Sequence, residues 1–342
     1  MNRTFLSIVI FYILFSSASC KAKAEDHFRK GMQFFEQNDY NTAIVEFTDA
    51  IELDQNFAKA YYYRGRSYSE QEDFNNAISD YTQAIRLDPN YFEAYNSRGY
   101  DYSILDNHEQ AINDFTQAIR LAPNEIKHFY NRGLSYLDIN EFDKAIADFS
   151  QIITLNPSEG NAYYYRGFAF LEKNDYNRAI LDFSQSIQYN PNDDISYNDR
   201  GVAYSEIGNW ELALKDWEAA TQINPSDDIS RQNIELAKRM LRIINTTWET
   251  ITTSGTRQII VFGENSFKWT GDSYQLGARQ ATRYMPGSPG VTMPGRNETG
   301  TFRVSGENIL LTTISTTYHG VLLGNSLTIS GVFGGWEFRQ IR

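Results

Sequence analysis

The chain has 342 residues, 41% of them hydrophobic and 22% charged, and a formal net charge of −12. That is the composition of a folded protein long enough for two domains, and its acidic balance argues against nucleic acid as the main partner, because phosphate binding depends on clustered Lys and Arg. The only cysteine is Cys20, so no structural disulfide is formed within the chain.

The N-terminal stretch "MNRTFLSIVIFYILFSSASC" carries an early Arg3, an apolar run from Phe5 to Phe15 and then small residues. A run this short suits a signal-peptide core and is short for a membrane-spanning helix. Cys20, at the end of Ser-Ala-Ser, makes the segment similar to a bacterial lipoprotein signal. That resemblance implies that Cys20 becomes the lipidated first residue of the mature protein. The stretch departs from the family in having Ser17 where leucine is usual. Cleavage after Ala24 and a retained anchor are the alternative readings. Residues 1–23 are assigned to this segment.

From residue 24 to residue 227 the sequence repeats with a period of 34. Gly31, Gly65, Gly99, Gly133, Gly167 and Gly201 keep that interval, as do Ala43, Ala77, Ala111, Ala145, Ala179 and Ala213. A large aromatic follows each glycine by sixteen residues (Phe47, Tyr81, Phe115, Phe149, Phe183, Trp217), and proline closes five units, from Pro89 to Pro225. Such a period marks stacked supersecondary units. Each unit reads as two helices, the first with an apolar stripe of 3–4 spacing around the glycine, the second of the "NAISDYTQAIRL" type. Proline ends the second helix by disfavouring helical backbone at the residue before it. These residues resemble the tetratricopeptide repeat family over about 60% of the chain. Gln55 in place of proline, and Ile152 and Ser186 in place of alanine, are departures of single repeats.

Arginines precede five of the glycines, and aspartates recur sixteen residues after each arginine, from the Arg64 and Asp80 pair to Arg200 and Asp216; Lys30 and Glu46 hold these places in the first repeat. A ladder of exposed ion pairs linking the two helices is expected. Residues 228–245 then read as an amphipathic capping helix and linker, with Ile234, Leu236, Ala237, Met240 and Leu241 covering the last repeat.

After residue 245 alternation replaces the long period. "QIIVF" and "SFKWT", "TFRV" and "ILLTT", and "GVLL" and "SLTIS" flank short turns such as Gly324-Asn325. Residues 246–342 are expected to form a small antiparallel β barrel or sandwich, similar in style to the lipocalin-like barrels of some envelope proteins. "MPGSPGVTMPGRNE", Met285 to Glu298, reads as a long loop within it. The fold class expected is therefore α+β multidomain: an α-solenoid of six helical hairpins with a capping helix, followed by the β domain. By charge the chain is uneven: residues 246–342 hold eight basic and six acidic side chains, or +2, leaving −14 on residues 1–245.

Signs of catalysis are few. His27, His108, His128 and His319 are scattered, without metal-ligand spacing, and neither a phosphate-cradling glycine loop nor a nucleophile elbow is present. No enzyme activity, metal or cofactor is expected. The resemblance implies a concave groove lined by first helices. Phe28, Tyr62, Asn96, Tyr130, Tyr164 and Asn198, three residues before each glycine, should face it, with Met32, Arg66, Tyr100, Leu134, Phe168 and Val202 one turn later. Tyrosine and asparagine suit peptide recognition, whereas the lysines of the carboxylate-clamp subtype are missing. The function expected is an envelope-anchored scaffold binding a protein or peptide, attached to the membrane through its lipid only and taking no nucleic acid. The alternative is a periplasmic carrier whose β domain holds a small apolar ligand while the repeats dock on a transporter.

Overall fold

The computed structural model describes the backbone of residues 3–243 and of ten strand segments between 247 and 341, and the side chains of residues 20–241. By contact density the chain divides into two compact units, Met1–Asp175 and Tyr176–Arg342.

Among the described residues the first unit holds nine helices: α1 (Arg3–Glu36), α2 (Tyr40–Leu53), α3 (Ala58–Glu70), α4 (Phe74–Leu87), α5 (Phe92–Ile104), α6 (His108–Leu121), α7 (Ile126–Asp138), α8 (Phe142–Leu155) and α9 (Gly160–Glu172). Odd and even helices pair as hairpins, each even helix packs on the next odd one, and successive odd helices touch one another. The odd helices therefore share one face. Among the described residues no helix is long and apolar enough to cross a membrane.

The hairpins close through the glycine and the aromatic sixteen residues on. Phe47, Tyr81, Phe115 and Phe149 are all below 2% exposed. A Cβ placed on Gly133 would lie 2.9 Å from Cζ of Phe149, inside normal contact. The ring occupies the space that a side chain would need, so the two positions recur together. Some second helices start from a polar cap: the Asp73 carboxylate accepts from the Asn76 amide at the start of α4. The turn between paired helices needs one left-handed residue per repeat, filled by Asn38, Glu72, Asp106, Asn140 and Asn174, all near φ 60°.

The second unit contains α10 (Tyr176–Tyr189), α11 (Asp194–Glu206), α12 (Trp210–Ile223) and α13 (Asp228–Ile243). Here Trp217 lies over Gly201 and donates its indole N–H to the Asn198 carbonyl at 3.1 Å. In α13, Ala237 and Ile234 pack against the Ala213 and Trp217 cluster of α12, and Met240 is 4% exposed.

The ion pairs depart from expectation in two ways. They are largely buried rather than exposed, the aspartates being 5–8% exposed at the side chain in four repeats. They are also forked: Arg64 donates from Nε and Nη2 to the two Asp80 oxygens, both at 2.8 Å, and from Nη1 to Thr48 Oγ1 of α2 at 3.1 Å. Desolvation, the largest influence on Arg64, works to lower its pKa, but the Asp80 hydrogen bond and charge outweigh it and hold it raised. Burial raises the pKa of Asp80, against the Arg64 hydrogen bond and charge; the forked geometry is that of an ionised carboxylate. Lys30 and Glu46 do not pair: Lys30 Nζ lies 3.2 Å from Asp26, and Glu46 turns to His27.

Between Thr247 and Ile341 the strands pair antiparallel. Thr317–Leu323 joins Ser326–Gly331 with Leu323 opposite Ser326, and Thr247–Ile251 pairs with Arg257–Phe262 on one side and Gly334–Ile341 on the other. Val291–Met293, inside the stretch expected to be a loop, pairs with Tyr274–Leu276. The expected α+β class is nevertheless corrected. The described side chains belong to thirteen helices and the short turns between them, and the class they form is an all-helical solenoid. A barrel or sandwich is defined by the alternate side chains that fill it; those of residues 242–342 lie outside the described residues, so no such core is assigned.

Candidate functional site

Helical phase predicts which residues point toward the odd-helix face, and neighbouring helices decide which of them remain open. Three residues before the glycines, most positions are consumed by packing. Phe28 lies 5.6 Å from the Phe47 ring and 5.0 Å from Phe57. Tyr62 is 8% exposed, its ring 4.8 Å from that of Tyr91, and burial raises its hydroxyl pKa. Asn96, also 8% exposed, accepts from His128 and Asn131. Tyr130 packs edge-on against Phe149 and Tyr165. In the second unit, Asn198 accepts from Ser230.

One turn later the face is more open. Tyr100 is half exposed. Arg66 is part-exposed, its guanidinium 4.7 Å above the Phe35 ring; Met32 and Val202 are part-exposed as well. Leu134 of α7 and Phe168 of α9 line an open pocket of about 380 Å³. Tyr164 joins them, with Leu137, the left-handed Asn140 and Phe142 at the start of α8. Asp138 and Glu172, both exposed, also border it. The pocket is an apolar slot with acidic edges.

Beneath this face lie two polar groups that no expectation covered. Asp101 in α5 is fully buried; Ser69 Oγ donates to its Oδ1 at 2.7 Å, and Oδ2 has no partner. Burial pushes its carboxyl up to about 7, against the Ser69 hydrogen bond and with help from the Glu70 charge. His128 in α7 is fully buried too, with Nδ1 2.8 Å from the Asn96 oxygen and Nε2 unpartnered. Burial, with a smaller contribution from the Lys127 charge, pushes it down to about 4.

A third polar group joins α1 and α2. His27 Nδ1 lies 2.7 Å from Glu46 Oε2 and 3.6 Å from Asp49 Oδ2. Sequence spacing hid this cluster because its members come from facing helices, nineteen and twenty-two residues apart.

Residues 58–91, 92–125 and 126–159 match the Tetratricopeptide repeat family model, 160–193 match a second model of that description, and 31–72 match the TPR repeat model. Within residues 31–193 the helical hairpins are tetratricopeptide repeats. Among solved structures, the chain is similar to YrrB, described as a TPR protein with an unusual peptide-binding site (22% identity, TM-score 0.51, 55% of this chain and 97% of that one). It is also similar to pilF of Pseudomonas aeruginosa (16% identity, TM-score 0.53, 63% and 97%) and to a tetratricopeptide repeat protein of Parabacteroides merdae (18% identity, TM-score 0.50, 64% and 99%). At these identities the likeness is one of fold. No curated protein matches the sequence. The tetratricopeptide fold is in general a non-enzymatic interaction scaffold.

Proposed function

We propose that this chain is an interaction scaffold that holds an extended peptide segment of a partner protein on its odd-helix face, with one apolar side chain of that segment in the pocket between α7 and α9. The observation that carries the reading is the pocket itself: Leu134, Tyr164 and Phe168 leave an apolar recess on a repeat scaffold whose other rings at these positions are largely packed. The acidic Asp138 and Glu172 at its border favour a partner with a basic residue beside the apolar anchor. Phe28, Met32, Tyr62, Arg66, Asn96, Tyr100 and Tyr130 form the remainder of the proposed groove, with Tyr100 and Arg66 as its accessible members. YrrB's peptide-binding site, on the same type of repeat, supports this use of the fold.

Phe168→Ala tests the reading. Truncating an aromatic hot spot at a binding site costs about 2 kcal/mol or more, so capture of the partner peptide should weaken more than tenfold while circular dichroism stays helical. Unchanged capture with intact helix would place binding elsewhere. The same proposal locates the chain at the bacterial envelope, held by a lipid on Cys20. Its support is the apolar run Phe5 to Phe15 and the lone, part-exposed cysteine that follows.

A further inference from the structure

In later repeats three positions work together. The aromatic four residues before the glycine lies under the arginine: Arg64 is 5.5 Å from the Tyr61 ring, Arg132 5.9 Å from Phe129 and Arg200 5.5 Å from Tyr197. The arginine in turn forks onto the aspartate of the second helix. In the first repeat all three are replaced at once, by His27, Lys30 and Glu46, and a fourth position changes with them. Where Gln83, Gln117, Gln151 and Gln185 stand later, the first repeat has Asp49.

The result is a different chemistry in the same backbone frame. The guanidinium is gone, and Lys30 does not replace it, because its ammonium is engaged with Asp26 one turn back on α1. Among the described residues the ion-pair contacts of Glu46 and Asp49 are both with His27. Two carboxylates therefore converge on one imidazole nitrogen. One ligand atom from each of the three residues lies within 4.8 Å of the others. Ligands held about 2.0–2.2 Å from a tetrahedral ion stand about 3.3–3.6 Å apart. The 2.7 Å and 3.6 Å separations about Nδ1 bracket that spacing, so small side-chain rotations would admit an ion. The three side chains are 30%, 20% and 45% exposed, which leaves room for water ligands to complete the shell. In repeat two a hydroxyl from the preceding second helix, Thr48, closes the equivalent place over Arg64. The residue sixteen before Lys30 lies in α1 itself rather than on a preceding second helix.

We propose that His27 Nδ1, Glu46 and Asp49 form a binding site for one divalent transition cation of the zinc class, cross-linking α1 to α2 in the first repeat. The imidazole selects this class: calcium and magnesium take all-oxygen shells, whereas neutral imidazole with carboxylate suits zinc and its neighbours. The cation takes the structural place that the arginine holds elsewhere, bridging helices through charge.

The test uses the full chain stripped with a chelator. Calorimetric titration with zinc chloride should show one saturable equivalent, and cobalt(II) should give the visible absorption of a low-coordinate nitrogen–oxygen site. Glu46→Gln and Asp49→Asn, which keep side-chain shape, should each weaken zinc about tenfold or more, as losses around metal sites do. His27→Tyr, which restores the aromatic of the later repeats, should abolish it. His108→Ala should leave it unchanged. Absence of saturable zinc binding, or binding that survives both Glu46→Gln and Asp49→Asn, would overturn the site and leave a His27–Glu46 hydrogen bond only. If His27→Tyr proves unfolded by circular dichroism, the two isosteric variants and the cobalt spectrum of the parent decide.

Discussion

Asp101 and His128 are fully buried groups with opposite pH habits, and their signs can be worked out. Asp101 is pushed up to about 7 in the fold, from an ordinary value of 3.8. Between those limits the folded state binds a proton that the unfolded chain has released, so its contribution to stability is lost as pH rises through about 4 to 7. His128 is pushed down from 6.5 to about 4. Here the unfolded chain binds the extra proton, so stability is lost as pH falls through the same range. The two slopes oppose each other below about 6.5, and above it the ionised Asp101 stands alone. Asp101→Asn keeps the oxygen that accepts from Ser69 and removes the charge. The variant should melt higher than the parent at pH 7.5, by a gain bounded at about 4 kcal/mol for a three-unit shift. With the aspartate slope gone, its melting temperature should then fall steadily from pH 6.5 to 4 as the unfolded chain takes up the proton that the buried His128 does not. Equal melting temperatures for the two proteins at pH 7.5 would show that Asp101 is already solvated or neutralised there.

At the scale of the helices, the 34-residue period exposes most of the repeat fold, because the same contact must recur to keep the stack in register. Gly133 shows this. Its missing side chain and the Phe149 ring are one contact read twice. Gly133→Ala places a methyl 2.9 Å from a ring that is fully buried, and overpacking of this kind costs about 1–3 kcal/mol. A lower urea midpoint with an unchanged slope is the expected result; an unchanged midpoint would mean that the ring has room to move. Other features leave weaker marks in sequence. The left-handed turn position holds Asn38, Glu72, Asp106, Asn140 and Asn174, and only in the last repeat the glycine, Gly208, that would have announced it. The odd-helix face was legible in phase and not in accessibility. Tyr62 sits at a face-directed position, yet Tyr91 of the next repeat covers it, whereas Leu134 and Phe168 stay open around a recess. The His27 cluster required the pairing of α1 with α2, which spacing along the chain does not display.

For the molecule as a whole, charge decides what could hold it at a membrane. Residues 1–245 carry −14, so an anionic lipid surface repels the repeat region and cannot retain it electrostatically. Retention as proposed must come from apolar insertion, through the run Phe5 to Phe15 or through acyl chains on Cys20. These two sources separate experimentally. Acyl chains contribute about 0.8 kcal/mol per buried methylene, and one chain alone binds only marginally, so a stably held lipoprotein carries more than one. Under the lipidation reading, the parent should sediment with membranes through high-salt and carbonate washes and show an added lipid mass on its N-terminal peptide. Cys20→Ser should move to the soluble fraction, or accumulate uncleaved with the leader still attached, and in either form lack the lipid mass. A parent and variant that fractionate identically, neither bearing lipid, would leave the apolar run as the anchor and remove Cys20 from the proposal. A parent found soluble, with its N-terminus beginning after Ala24, would remove the anchor altogether while leaving the proposed peptide-binding face untouched.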